Sequence, residues 1–390
     1  MAEHIEIPSS ALRGNWIADQ EQGDSFDSAT FCMKALSKLI NGHDIWLQNP
    51  ARKFSALDSR PQNTPSIFVA TGGTSGRCRF ARHTWGTMSA AVFGLQGVLG
   101  GAPIDSWCCL PIWHVAGWMQ VVRAIQTNGD VAFGDYRDLA DPLKEINLAG
   151  RLISLVPTQL HRLISSDLAI SRLRESRLIL LGGAPLQEEL AERLRSVCLP
   201  VAPTYGMTES AGAVTLLAAE RFLAGENCVG KVLPHATLRL NEDTGVLSIR
   251  AKSMCLGYEH RDFSSGEWFD TSDLAEHSPG GNWWILGRLD RIVNTGGEKV
   301  NPLEVESAVI KTKLVSGCLT MGIPDPDWGE RLVAFCTPST IDVTRLKKTL
   351  QTKLTGAAIP KLIVPVDELP INEMGKPNLL KARAVFEQRD

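Results

Sequence analysis

The sequence predicts an α/β chain of more than one domain, and three observations carry that expectation. Apolar runs such as Trp107-Cys108-Cys109-Leu110, Leu152-Ile153-Ser154-Leu155-Val156 and Leu178-Ile179-Leu180-Leu181 have the composition of strands buried on both faces. Helical stretches such as 186–197 alternate with them, which means α/β layers. From about Pro234 the texture changes to shorter alternating strands. Leu238-Arg239-Leu240 and Val246-Leu247-Ser248-Ile249 flank the turn signal Asn241-Glu242-Asp243-Thr244-Gly245, the pattern of a β-hairpin with a longer loop. Beyond Arg291, a helix over 302–313, strands over 318–323 and 332–337 and a helix over 343–354 predict a small α+β lid. Pro302 suits the first turn of its helix, where a missing N–H costs nothing. The expected fold is therefore a large multi-layer α/β domain with a β-rich subdomain, followed by the lid.

Length and composition agree. At 390 residues the chain exceeds one ordinary core of roughly 100–200 residues. Its hydrophobic share, 44%, suffices for substantial cores, yet no uncharged apolar run reaches the roughly 18 residues of a membrane span. No membrane anchor is expected. Forty basic against 43 acidic side chains give a net charge of −3, which offers no global attraction to nucleic acid. Any anion binding must be local. Nine cysteines form no Cys-x-x-Cys pair and no zinc-type spacing with histidine, so small buried hydrophobes in a reducing cytoplasm are expected. The start, Met1-Ala2-Glu3-His4-Ile5-Glu6, has neither a basic region nor an apolar run, and no secretory signal is expected.

Chemistry concentrates in a few strings. The apolar run Ile67-Phe68-Val69-Ala70 leads into Thr71-Gly72-Gly73-Thr74-Ser75-Gly76-Arg77-Cys78-Arg79. Glycines and hydroxyls ending in arginines suit a backbone that closes around phosphate oxygens. The spacing is not that of the common P-loop, which needs four residues between its glycines and then Lys followed by Ser or Thr. Further along come Tyr205-Gly206-Met207-Thr208-Glu209, Trp268-Phe269-Asp270-Thr271-Ser272-Asp273, the stretch 287–299 from Gly287-Arg288 to Glu298-Lys299, and Asn372-Glu373-Met374-Gly375-Lys376. These five motifs, in this order along almost the whole chain, resemble those of the adenylate-forming enzymes: acyl-CoA synthetases, peptide-synthetase adenylation domains and luciferases.

The resemblance implies ATP, Mg²⁺ and CoA as the partners of a small-molecule acid, and it implies roles. Thr71, Gly72, Gly73, Thr74, Ser75 and Gly76 would hold the β- and γ-phosphates, with Arg79 standing where the family has lysine and Cys78 where it has proline. Arginine keeps the charge and adds a bidentate fork. Tyr205 resembles the aromatic that stacks on adenine, with Gly206 and Met207 beside it, and Gly183, Ala184 and Pro185 resemble the loop on the other side of the base. Thr208 would bind the α-phosphate, and Glu209 would be the Mg²⁺ carboxylate, since that cation takes oxygen ligands. Asp273 would accept from the ribose hydroxyls beside Arg288. Lys376 resembles the catalytic lysine. Asp290 falls at the family's hinge, which divides the chain into a domain over 1–286, a hinge over 287–290 and a lid over 291–390. Gly296 and Gly297 would leave room for the pantetheine arm of CoA.

For the acid, Leu110-Pro111-Ile112-Trp113-His114-Val115-Ala116-Gly117 and Val156-Pro157-Thr158-Gln159-Leu160-His161-Arg162-Leu163 look most like the 2-succinylbenzoate-CoA ligases of menaquinone and phylloquinone biosynthesis. In that reading His114, Gly206 and Ser210 line the acyl pocket, where the imidazole either meets a second carboxylate or keto oxygen or forms the pocket wall. Three alternatives stay open: an aryl or medium-chain acyl-CoA ligase, an adenylation enzyme that loads a carrier protein, and a degenerate protein that binds acyl-AMP or AMP without turnover.

Overall fold

The computed structural model describes residues 16–17, 28–49, 64–71, 79–259, 261–371 and 378–387. Among these the strands form four sheets. The largest has the spatial order Trp16–Ile17, Val131–Phe133, Ser106–Cys108, Leu152–Leu155, Leu178–Leu181, Val201–Met207, Gly212–Leu216, Lys231–Val232. Its first six strands run parallel and the last two are antiparallel. Parallel strands need crossovers and are buried on both faces, and the apolar runs show it: Leu152–Leu155 and Leu178–Leu181 are buried at every position.

Alternation assigns the two faces. Cys108, Val131 and Phe133 join one core with the helices Ser28–Ile40, Trp85–Val98 and Val115–Thr127. Trp107, Ala132, Ile153, Leu155, Ile179 and Leu181 point the other way, into a core with Pro157–Leu163, Asp167–Glu175 and Glu188–Ser196. The expected α/β layering is thus observed. The strand order reverses at Ser106–Cys108, because the next strand in sequence, Val131–Phe133, lies on one side of it and the one after, Leu152–Leu155, on the other. A crevice opens outside the carboxyl ends of two such strands, and open α/β sheets bind ligands there.

A second sheet orders Arg261–Asp262, Gly257–Tyr258, Arg79–His83, Ile67–Thr71 and Ile45–Leu47. The β-rich texture after Pro234 becomes an antiparallel sheet of Ala236–Leu240, Val246–Ala251, Phe269–His277 and Trp283–Arg288, with the expected hairpin as its first pair. The fourth sheet lies beyond Arg291: Glu298–Val300, Val293–Thr295, Gly329–Thr337 and Gly317–Asp325, with Leu362–Pro365 parallel to Gly329–Thr337. Pro302–Ile310 and Val343–Leu350 pack on it around Val305, Val309, Leu346 and Leu350. Among the described residues, no helix is long and apolar enough to cross a membrane.

Candidate active site

The nucleotide motifs converge at the carboxyl ends of the parallel strands. Gly182 and Gly183 follow directly on Leu178–Leu181, and Tyr205, Gly206 and Met207 end the neighbouring strand. Tyr205 donates its hydroxyl to Asp273 Oδ2 at 2.5 Å. Burial, and then the Asp273 charge, push that phenol well above its ordinary range, so it stays a donor. Asp273 and Arg288 face each other in register on adjacent strands. Arg288 Nη1 reaches Asp273 Oδ1 at 3.1 Å, while its Nε and Nη2 bind both oxygens of Asp290 at 2.9 and 2.7 Å. One guanidinium therefore joins the expected ribose acid to the expected hinge. Asp290 sits in the short turn Leu289–Arg291, and on its far side Arg291 Nη2 is buried against Glu306 Oε1 at 2.8 Å and the Thr320 carbonyl at 3.0 Å.

Thr208, Glu209 and Ser210 form a single 3₁₀ turn closed by Ala211 in the left-handed region at φ 54°. The Ser210 hydroxyl takes the Met207 amide at 3.1 Å and reaches the Gly212 carbonyl at 2.7 Å. It is wholly buried, so in this conformation Ser210 shapes the turn and presents no atom to a ligand. The Thr208 carbonyl accepts from His83 Nε2 at 2.9 Å, which fixes the proton on that nitrogen. Burial drives the His83 imidazole down to about 4, so it is neutral at physiological pH. Glu209 is buried, and its Oε1 accepts from the Tyr258 hydroxyl at 2.8 Å. The Arg79 guanidinium lies over the Tyr258 ring, 4.6 Å from its centroid.

Thr71 and Arg79 are paired across the strands that flank the expected phosphate loop. The loop residues Gly72, Gly73, Thr74, Ser75, Gly76 and Cys78, and the expected catalytic Lys376, lie outside the described residues. Thr71 Oγ1 is buried and has no hydrogen-bond partner among the described residues, which fits a phosphate oxygen arriving there. The buried Glu209 carboxylate, met by a neutral hydroxyl, keeps an oxygen for a hard divalent cation.

Gly296 and Gly297 form the two-residue loop between Val293–Thr295 and Glu298–Val300, with Thr295 paired to Glu298. Both have positive φ, 61° and 83°, as a type I′ hairpin turn requires. A Cβ on Gly296 would come within 2.9 Å of the Trp328 ring.

The two segments expected to choose the acid start at the two strands that border the crevice. Leu110–Gly117 follows Ser106–Cys108, and Val156–Leu163 follows Leu152–Leu155. Half-buried His114 is the N-cap of Val115–Thr127. The same helix buries Arg123. Its Nη1 has no hydrogen-bond partner and the side chain has no ion pair among the described residues. Burial lowers this guanidinium to about 10, partly offset by the Cys108 thiol at the carboxyl end of the bordering strand, and it remains a cation at neutral pH. Sequence reading passed over Arg123, His83 and Tyr258. Arg123 had a signal: it is the one charged residue in Val115–Thr127.

Comparison with known proteins identifies the family. The family model for AMP-binding enzymes matches residues 17–258, and that for the AMP-binding enzyme C-terminal domain matches 304–376. The 2-succinylbenzoate-CoA ligase of Lactococcus lactis is 30% identical over 343 residues, covering 86% of this chain and 74% of the relative. That of a Geobacillus strain is 30% identical over 336 residues, covering 80% and 67%. Among solved structures, an arginine-to-lysine variant of Escherichia coli MenE with bound OSB-AMS superposes with a TM-score of 0.70 at 26% identity, covering 86% of this chain and 72% of that one. The Bacillus subtilis o-succinylbenzoate CoA synthetase in complex with its acyl-adenylate intermediate, at 24% identity, TM-score 0.69 and coverage of 80% and 67%, shares the fold. This chain belongs to the AMP-binding enzyme family.

Proposed function

We propose that the chain is an ATP-dependent acid-CoA ligase of menaquinone biosynthesis that converts 2-succinylbenzoate to its acyl-adenylate and then to the CoA thioester. The observation that carries the choice of acid is the buried, unpaired guanidinium of Arg123 in Val115–Thr127, the helix that follows the strand Ser106–Cys108. An isolated buried cation is costly, and the cost is relieved when an anion enters with the ligand. 2-Succinylbenzoate has two carboxylates: one is activated and the other must be held. Arg123 suits the held one, and His114 at the start of the same helix is a second polar group for it or for the keto oxygen.

A carboxylate resists attack by a thiol, because its charge and resonance oppose a nucleophile. Transfer of AMP from ATP makes a mixed anhydride with a good leaving group and releases pyrophosphate. Negative charge grows on the α-phosphate as the acid oxygen attacks, so donors and cations must already point there. In this reading Thr71, Thr74, Ser75, Gly76 and Arg79 hold the outer phosphates, Thr208 the α-phosphate, and Tyr205 with Gly183, Ala184 and Pro185 the adenine. Asp273, fixed by Tyr205 and Arg288, takes the ribose hydroxyls. A magnesium ion on Glu209 would neutralise phosphate charge when bound. Lys376 from the lid would bridge the acid and the α-phosphate.

The division into 1–286, a hinge over 287–290 and a lid over 291–390 is part of the same proposal. Rotation about Asp290 would withdraw Lys376 and bring Gly296 and Gly297 towards the adenylate for CoA. Among the described residues no two cysteines form a disulfide, which fits the reducing cytoplasm that this reading assigns. The test is ATP-pyrophosphate exchange with a panel of acids, followed by CoA thioester formation. Exchange strongest with 2-succinylbenzoate, and a thioester with CoA, support the proposal. Exchange with simple aryl or medium-chain acids only, or transfer only to a carrier protein, overturns the assignment.

A further inference from the structure

Tyr258 lies in none of the five motifs, yet it touches two of the residues that those motifs place at the phosphates. Its hydroxyl donates to Glu209 Oε1 at 2.8 Å, and its ring lies under the Arg79 guanidinium at 4.6 Å. We propose that Tyr258 is the positioning residue that sets the spacing between the cation-binding carboxylate of Glu209 and the phosphate-binding guanidinium of Arg79. The proposal deepens the ligase reading and rests on it.

The backbone around Tyr258 is built to hold that position. Gly257 and Tyr258 pair with Arg82 and Ala81 of the strand that leaves the phosphate loop, and with Asp262 and Arg261 on the other side. A Cβ on Gly257 would come within 2.1 Å of the Arg261 carbonyl, so only glycine lets these strands approach. The preceding loop is tied to both site elements. The Cys255 amide donates to the Glu209 carbonyl at 2.7 Å and the Leu256 amide to the Arg82 carbonyl at 2.7 Å. The Phe263 ring packs edge-on against Tyr258 at 5.2 Å.

The chemistry of the two contacts differs. Burial, and then the Glu209 charge, raise the Tyr258 phenol above its ordinary range, so it remains a neutral donor to the carboxylate. With Oε1 held, the other oxygen has a fixed direction for a cation. The ring face is electron-rich and holds Arg79 without consuming its N–H groups, which stay available to phosphate oxygens. One side chain therefore serves a cation site through its hydroxyl and an anion site through its face.

Because the two contacts use different atoms, two variants separate them. Binding of ATP is measured by calorimetry over a range of Mg²⁺ concentrations with no acid present, so the acyl assignment does not enter. Tyr258→Phe keeps the ring and its volume. It should raise the Mg²⁺ concentration for half-maximal ATP binding about 10- to 100-fold, the usual effect of losing a group that orients a metal ligand, and leave metal-free ATP binding unchanged. Tyr258→Leu should add a further loss of about two- to fivefold in metal-free binding, from the released Arg79. In a Glu209→Gln background, Tyr258→Phe should shift the Mg²⁺ dependence no further. An unchanged Mg²⁺ dependence in Tyr258→Phe, or an equal shift in the Glu209→Gln background, overturns the proposal. A wild-type chain that binds no magnesium-ATP overturns the ligase reading and the proposal with it.

Discussion

Replacing Arg123 by methionine should make the protein more stable and the enzyme worse, and that opposition of signs makes the test decisive. Methionine fills most of the volume of the arginine stem and removes a cation that is 9% exposed and unpaired among the described residues. Replacing buried charges by apolar groups of similar size is often neutral or stabilising by about 1–4 kcal/mol, so the unfolding midpoint should hold or rise. The ligand complex loses the partner of a desolvated carboxylate. At so buried a position the loss belongs to the range of about 2–5 kcal/mol, not to the roughly 0–1 kcal/mol of an exposed pair. That is roughly 30- to 5,000-fold in kcat/KM. The assay is ATP-pyrophosphate exchange with 2-succinylbenzoate and with 4-oxo-4-phenylbutanoate, which lacks the ring carboxylate. Arg123→Met should depress the first and spare the second, and His114→Ala, tested alongside, should do so less. An equal fall for both acids, or a large loss of stability, would refute the reasoning: Arg123 would then be a structural residue.

Lys376→Ala should nearly abolish acyl-AMP synthesis while leaving thioester formation from preformed acyl-AMP and CoA intact, read in separate half-reaction assays; equal loss of both would exclude a role confined to the first step. Asp290→Pro should keep pyrophosphate exchange and lose CoA-dependent turnover, because proline fixes φ near −65°. Asp290→Ala controls for the lost bond to Arg288 and should keep both activities. His83 predicts acid lability. It titrates at 6.5 in an unfolded chain and about 4 when folded, so as pH falls from 6.5 towards 4 the unfolded state gains a proton that the folded state refuses. Stability is full above pH 6.5 and drops by about 3 kcal/mol across that window. His235, also lowered to about 4 by burial, works in the same direction. Urea midpoints against pH should show a shallower acid limb for His83→Gln, and an unchanged limb would mean that His83 is not the group responsible.

Element types were legible in the sequence, and their ends were less so. The run 107–110 becomes the strand Ser106–Cys108, because the chain turns at Pro111, whose carbonyl takes the His114 amide at 3.0 Å. The helix expected over 302–313 stops at Ile310, and Lys313 takes the left-handed conformation at φ 59°. These stops depend on local hydrogen bonds that apolar periodicity does not encode. The site divides in the same way. Tyr205, Asp273 and Arg288 could be expected because each sits in a contiguous string that resembles a family motif, and the structure joins the three by hydrogen bonds. His83 and Tyr258 were not, because each acquires meaning from a partner far along the chain: 125 residues away for His83 and Thr208, 49 for Tyr258 and Glu209. Ser210 shows the converse, since its string was legible and its hydroxyl turned out to be taken up by its own turn.

The two ion-pair clusters flanking the Leu289–Arg291 turn bear on how such chains can be recombined. Arg288 is bound to Asp273 and Asp290 on the nucleotide side, and Arg291 to Glu306 and Thr320 on the other. Leu289 lies between them, 47% exposed, with no side-chain bond to sever. A crossover placed there, joining the first part of this chain to the second part of a relative, would divide no ion pair of either cluster provided that Asp290 is retained. The same crossover placed three residues later would leave Arg291 of this chain to pair with a glutamate and a carbonyl supplied by the relative. Leu289 is thus a natural seam at which two parts of different parentage could be joined with the buried Arg291–Glu306 pair still matched.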